Sequence, residues 1–110
     1  MKTYGLLENE KNALKKLKKT LEERCGLIDF RVFGSKARGD AAPESDVDVM
    51  IEIEDYNPST ESAIDEIVFK INLEFDCFIS AVIFGRRELE EGPLGESPLY
   101  RVIEKEGIAV

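Results

Sequence analysis

Two short runs of the chain place an apolar residue at every second position, and that period constrains the fold more than any other feature. From Leu27 to Phe33, Ile28, Phe30 and Val32 alternate with Asp29 and Arg31. From Asp46 to Ile53, Val47, Val49, Ile51 and Ile53 alternate with Asp46, Asp48, Met50 and Glu52. A period of two belongs to a strand that rests one face on a core. Elsewhere the spacing is helical. Ala13, Leu14, Leu17 and Leu21 share one face of Asn9–Arg24, with Lys15, Lys16, Lys18 and Lys19 on the other and Gly26 as the C-terminal stop. Asn57-Pro58-Ser59-Thr60 offers a helix N-cap before a stripe of Ala63, Ile64, Ile67, Val68 and Ile71.

The run Phe75–Phe84 is nearly all apolar and predicts a third strand covered on both faces, in the middle or a well-shielded part of the sheet. Arg86–Glu91 reads as one short helical turn broken by Gly92-Pro93, Pro98–Glu106 as a last helix, and Ile108–Val110 as a short extension. The order helix, strand, turn, strand, helix, strand, helix predicts an α/β fold with a small mixed sheet and helices packed against it.

With 110 residues there is room for one core, so residues 1–110 are expected to form a single domain. No apolar run approaches the roughly 20 residues that cross a bilayer, and Met1–Glu10 has no stretch of signal-peptide length, so a cytoplasmic protein is expected. Cys25 and Cys77 are too few for a disulfide framework and read as small buried hydrophobes. The absence of histidine excludes Ser-His-Asp and Cys-His nucleophilic catalysis and any imidazole base, leaving carboxylates, hydroxyls and cations as the available chemistry. A formal net charge of −8 argues against direct nucleic-acid binding. The charge is uneven. Residues 1–39 hold ten basic and five acidic groups and residues 40–110 five basic and eighteen acidic, so the second segment, at −13, invites metal ions or a basic protein.

The chemistry concentrates in Gly34-Ser35-Lys36-Ala37-Arg38-Gly39-Asp40 and Ser45-Asp46-Val47-Asp48-Val49. Gly34 and Ser35 stand where a strand ends and a helix can start, a place where backbone N–H groups and a hydroxyl can hold a phosphate. Asp46 and Asp48, two apart on a strand, project from one face with Cα atoms about 6.7 Å apart. Like charges so placed, with Glu52 on the same row, repel unless a cation neutralises them. Carboxylate oxygens suit Mg²⁺, and a pair of such ions clamps the attacking and leaving oxygens of phosphoryl chemistry. Asp76, opening an apolar strand, is the candidate third carboxylate, about 4.8 Å across the sheet if that strand pairs with Asp46–Ile53.

Taken singly, these residues have plainer explanations. Asp-x-Asp is the polar face of a half-exposed strand, Asp76 caps a strand entrance, Gly-Ser is a turn, and Lys36 and Arg38 are solvated loop charges. Their conjunction changes the balance. Gly34-Ser-Lys-Ala-Arg-Gly-Asp40, five residues, then Asp46-Val-Asp48, preceded by Ser45, resembles the signature of the minimal nucleotidyltransferases of the DNA polymerase beta superfamily. Asp76 and the closing Ile103-Glu104-Lys105-Glu106-Gly107-Ile108 extend the resemblance over nearly the whole chain.

The resemblance implies a polymerase beta-like fold and transfer of a nucleoside monophosphate, AMP from ATP, with two Mg²⁺ ions. It implies that Asp46 and Asp48 bind both ions and that Asp76 binds one and helps to accept the proton of the attacking hydroxyl. Gly34 and Ser35 would hold the triphosphate, and Arg38 would meet phosphate or brace the loop. Relatives of this size resemble the antitoxin half of toxin–antitoxin pairs, which implies a basic helical partner of the HEPN family carrying the acceptor hydroxyl. Two other readings stand beside it: a small-molecule nucleotidyltransferase completed by a second chain, and an antitoxin that neutralises its partner by contact alone.

Overall fold

A computed structural model describes residues 5–40, 42 and 44–110; Met1–Tyr4, Ala41 and Pro43 lie outside the described residues. Helix α1 (Glu8–Arg24) begins the fold and ends at Cys25, and Gly26 at φ +62° turns the chain into β1 (Leu27–Phe33). One helical turn, α2 (Ser35–Arg38), leads to β2 (Val47–Ile53). Helix α3 (Pro58–Phe75) is capped by the Asn57 side chain, which accepts the Thr60 N–H. It crosses over to β3 (Ile79–Gly85), and α4 (Arg86–Glu91), a 3-10 turn (Pro93–Glu96), α5 (Pro98–Glu106) and β4 (Ile108–Ala109) complete the order.

The four strands form one sheet in the order β3-β2-β1-β4. The β1–β2 and β1–β4 pairs are antiparallel and β2–β3 is parallel, a pairing that needs a crossover connection, which α3 provides. The expected α/β fold with a mixed sheet is therefore what the chain adopts. Ala13, Leu14, Leu17 and Leu21 of α1 and Ile64, Ile67, Val68 and Ile71 of α3 pack on Phe30, Val32, Val47, Val49, Ile51 and Ile53. Each buried leucine or isoleucine contributes about 1.5–3 kcal/mol to the hydrophobic term. The opposite face carries a smaller cluster of Phe33, Met50, Phe84 and Ile103, with Tyr100 edge-on to Phe84. Cys77 is buried, Cys25 half-buried, and both are free thiols.

Three expectations need correction. Ile28 does not face the core: the β1–β2 register slips between Leu27 and Asp29, leaving Ile28 41% exposed while Leu27 packs inward. The third strand starts at Ile79 rather than Phe75, because α3 continues through Phe75 and Asp76 caps it in the left-handed conformation at φ +52°. Asn72 fixes this boundary, accepting the Ile79 N–H and donating to the Ile79 carbonyl. Finally, β3 is an edge strand of the sheet, with Ser80 exposed and Ala81, Val82 and Ile83 half-buried, not a shielded middle strand.

Candidate active site

The site lies where β1 ends and β2 begins. Gly34 has φ +75°, and a Cβ on it would stand 2.6 Å from Asp48 Oδ2, so only glycine permits both the backbone angle and the contact. Asp48 is half-buried on β2 and Asp46 is exposed one residue before the strand. Burial pushes the Asp48 carboxyl above its ordinary value, repulsion from Asp46 adds to the rise, and the Arg38 guanidinium opposes it. Together the two carboxylates are an oxygen donor set that a hard cation fits, since a divalent ion would remove the repulsion and satisfy the desolvated charge.

The turn that follows Gly34 is closed by bonds from the Ala37 and Arg38 N–H groups to the Gly34 carbonyl and from Gly39 N–H to the Ser35 carbonyl. Ser35 stands half-exposed at its head. Lys36 is not a solvated loop charge. It is 1% exposed, and its ammonium meets the buried Glu10 carboxylate at 3.1 Å and the Gly5 carbonyl at 3.3 Å. Glu10 also accepts the Leu7 N–H, so the phosphate-loop candidate is tied to the first turn of α1. Hydropathy alone gives no sign of this, because a lysine between a serine and an alanine in a turn reads as wet. Arg38 is exposed and pairs with Asp40 at 3.2 Å and Glu106 at 3.1 Å, bracing the loop against the end of α5.

The structure brings Gly34, Ser35, Asp46 and Asp48 to one end of the sheet. It places Asp76 elsewhere than expected, at the α3 cap, where its carbonyl accepts from Asn9 and the residue lines a cavity of about 210 Å³ with Leu7, Glu44, Ser45 and Phe78. Among the described residues no three acidic, histidine or cysteine side chains gather as a metal cluster. The residue level with Asp48 on β3 is Ser80. Sequence reasoning passed over Ser80, although it is the only hydroxyl in the run Phe75–Phe84. It also passed over Phe69, Leu73 and Phe78, which are 63%, 68% and 70% exposed and together line a second cavity of about 280 Å³ beside Asp76.

Comparison with known proteins places the chain in a family. The model of the nucleotidyltransferase domain family matches residues 14–110, and the chain belongs to that family. Protein adenylyltransferase MntA of Thermococcus cleftensis is 43% identical over 49 residues, 44% of this chain and 50% of that protein. MJ1379 of Methanocaldococcus jannaschii, provisionally named a protein adenylyltransferase, is 39% identical over 51 residues, 46% of this chain and 51% of that protein. The chain thus spans about half the length of the curated relatives it matches.

Among solved structures, a provisionally assigned minimal nucleotidyltransferase superposes with a TM-score of 0.63 at 21% identity, over 91% of both chains. A toxin–antitoxin structure solved with AMP-PNP gives 0.62 at 20% identity, over 94% of this chain and 72% of that one. At such identities the likeness is one of fold. The resemblance drawn from the Gly-Ser and Asp-x-Asp motifs is upheld at the level of the family, the nucleotidyltransferase domain.

Proposed function

We propose that the protein transfers AMP from ATP, with Mg²⁺, to a hydroxyl on a partner protein, and that the partner is a HEPN-type toxin held in check by the modification. The observation that carries this reading is the contact between Gly34 and Asp48, which joins a phosphate-loop geometry to a carboxylate pair whose charge asks for a cation. Asp46 and Asp48 would hold the metal, which when bound lowers the charge on the triphosphate and steadies the leaving oxygens. Ser35 and the backbone after Gly34 would hold the phosphates, and Arg38, engaged with Asp40 and Glu106, would keep that loop in place.

In the transfer, the acceptor oxygen bonds to the α-phosphorus and the bond from that phosphorus to the bridging oxygen breaks. Pyrophosphate leaves and the hydroxyl proton passes to a base or to water. Asp76, in the cavity that also holds Ser45, would stand on the side from which the acceptor arrives. A protein acceptor is supported by the apolar shelf of Phe69, Leu73 and Phe78 next to that cavity, and a basic one by the acidic excess of residues 40–110. Neutralisation by contact alone is the second reading, favoured by the place of Asp76 at the cap of α3 instead of on the strand that pairs with β2.

The test is co-expression with the protein encoded beside it, followed by mass spectrometry of that partner. Wild type should add about 329 Da, the mass of an AMP group less water, and Asp48→Asn should add none. A bound, inhibited and unmodified partner in both cases would replace transfer by contact.

A further inference from the structure

The pairing of β2 with β3 fixes which side chain faces Asp48 across the sheet. In this parallel register Asp48 is level with Ser80, Met50 with Val82 and Glu52 with Phe84. Met50, Val82 and Phe84 belong to one apolar cluster, so Ser80 and Asp48 point to that same face by alternation. Neighbouring strands lie about 4.8 Å apart, which leaves the Ser80 hydroxyl as the nearest cross-strand polar group on the β3 side of Asp48. Ser80 is exposed, so nothing packs over it. One step back, Val47 N–H donates to the Phe78 carbonyl at 2.8 Å, which sets Phe78 level with Asp46 and fills that position with an exposed ring. Asp76 lies two residues beyond, outside the sheet.

We propose that Ser80 takes the third protein position of the metal site, so that the chain offers a cation two carboxylates and a hydroxyl instead of three carboxylates. This inference rests on the nucleotidyl-transfer reading of the site. Its consequence is an order of assembly. Two carboxylates and a neutral oxygen supply little charge and few of the six oxygens that Mg²⁺ requires, and the phosphates of the nucleotide make up the rest. Metal and nucleotide therefore bind as a coupled pair, each raising the affinity for the other by the same factor.

The probe is Mn²⁺, titrated into the full chain with and without a non-hydrolysable ATP analogue and read by electron paramagnetic resonance. Wild type should bind Mn²⁺ weakly alone and about 100-fold more tightly with the analogue, near the upper end of ordinary coupling. Ser80→Asp should tighten nucleotide-free Mn²⁺ binding by about tenfold, through the added ligand charge, and shrink the coupling. Ser80→Ala, which only removes a hydroxyl from an exposed position, should weaken Mn²⁺ binding in the presence of the analogue by about threefold. Asp76→Asn should change neither titration. Unchanged affinity in both Ser80 variants overturns the proposal, as does a loss in Asp76→Asn equal to that in Asp48→Asn. If wild type binds no Mn²⁺ even with the analogue, the nucleotidyl-transfer reading falls as well.

Discussion

One face of the sheet is sealed along its length, while the other is sealed only at the end away from Asp48. On the first, α1 and α3 bury Leu14, Leu17, Leu21 and Ile64 completely against Val47, Val49, Ile51 and Ile53. On the second, α4, the 3-10 turn and α5, through Leu89, Leu94, Tyr100 and Ile103, cover Met50 and Phe84, and the row of Asp48 and Ser80 is left accessible. The contrast separates two tasks: the first face supplies the hydrophobic free energy, and the second leaves room for charges that oppose folding. The four residues of α2 are divided between them. Lys36 and Ala37 are buried on the α1 side, whereas Ser35 and Arg38 reach solvent.

The strongest way to break this division is to cut the tie between the loop and the sealed face. Lys36→Met would leave the Glu10 carboxylate buried without its cation and should cost about 3–5 kcal/mol in urea denaturation, with Glu10→Gln in the same chain recovering part of the loss. An equal stability of wild type and Lys36→Met would show the pair to be incidental. Leu17→Ala, on the sealed face, should cost about 2–5 kcal/mol by leaving a cavity. A smaller loss than from Met50→Ala on the other face would reverse the assignment of which face carries the stability.

The smallest effect should come from the open end, and its sign is opposite. The Asp48 carboxyl titrates above its ordinary value of 3.8 in the folded chain, because it is desolvated and stands beside Asp46. An acid raised in this way favours folding while it is protonated, below that ordinary value, and the benefit disappears as pH rises through the higher folded value. Above this window ionised Asp48 opposes folding. Asp48→Asn should therefore be as stable as wild type or slightly more so at pH 7, with the advantage fading on acidification toward pH 3.8. Thermal denaturation at several pH values in the absence of metal measures it. A variant less stable than wild type at neutral pH would mean that Asp48 has a structural partner.

Most of the sealed face was legible in the sequence, because α1, β1, β2 and α3 each keep a clean period over at least two turns or three alternations. The rest was not, for identifiable reasons. The apolar run Phe75–Phe84 concealed a helix end, since Asp76 adopts the left-handed angle usually left to glycine and Asn72 closes the turn with its side chain. The slip after Leu27 put Ile28 outside, a shift that alternation cannot signal. At the candidate site, the nearness of Gly34, Ser35, Asp46 and Asp48 could be read from the sequence because the end of one strand and the start of the next bring them together. The burial of Lys36 against Glu10 and the level of Ser80 with Asp48 could not be read there, because they depend on which residue lies opposite, and that is set by packing and register.

The buried pair of Lys36 and Glu10 also bears on how such a chain can diverge. Either residue changed alone leaves a charge in the interior, so the intermediate is penalised whichever mutation comes first. Across descendants of this sequence the two positions should be exchanged together, as a neutral couple or an ion pair, or else kept. The loop after β1 and the opening turn of a helix would then share one evolutionary fate, though some twenty-five residues of chain separate them.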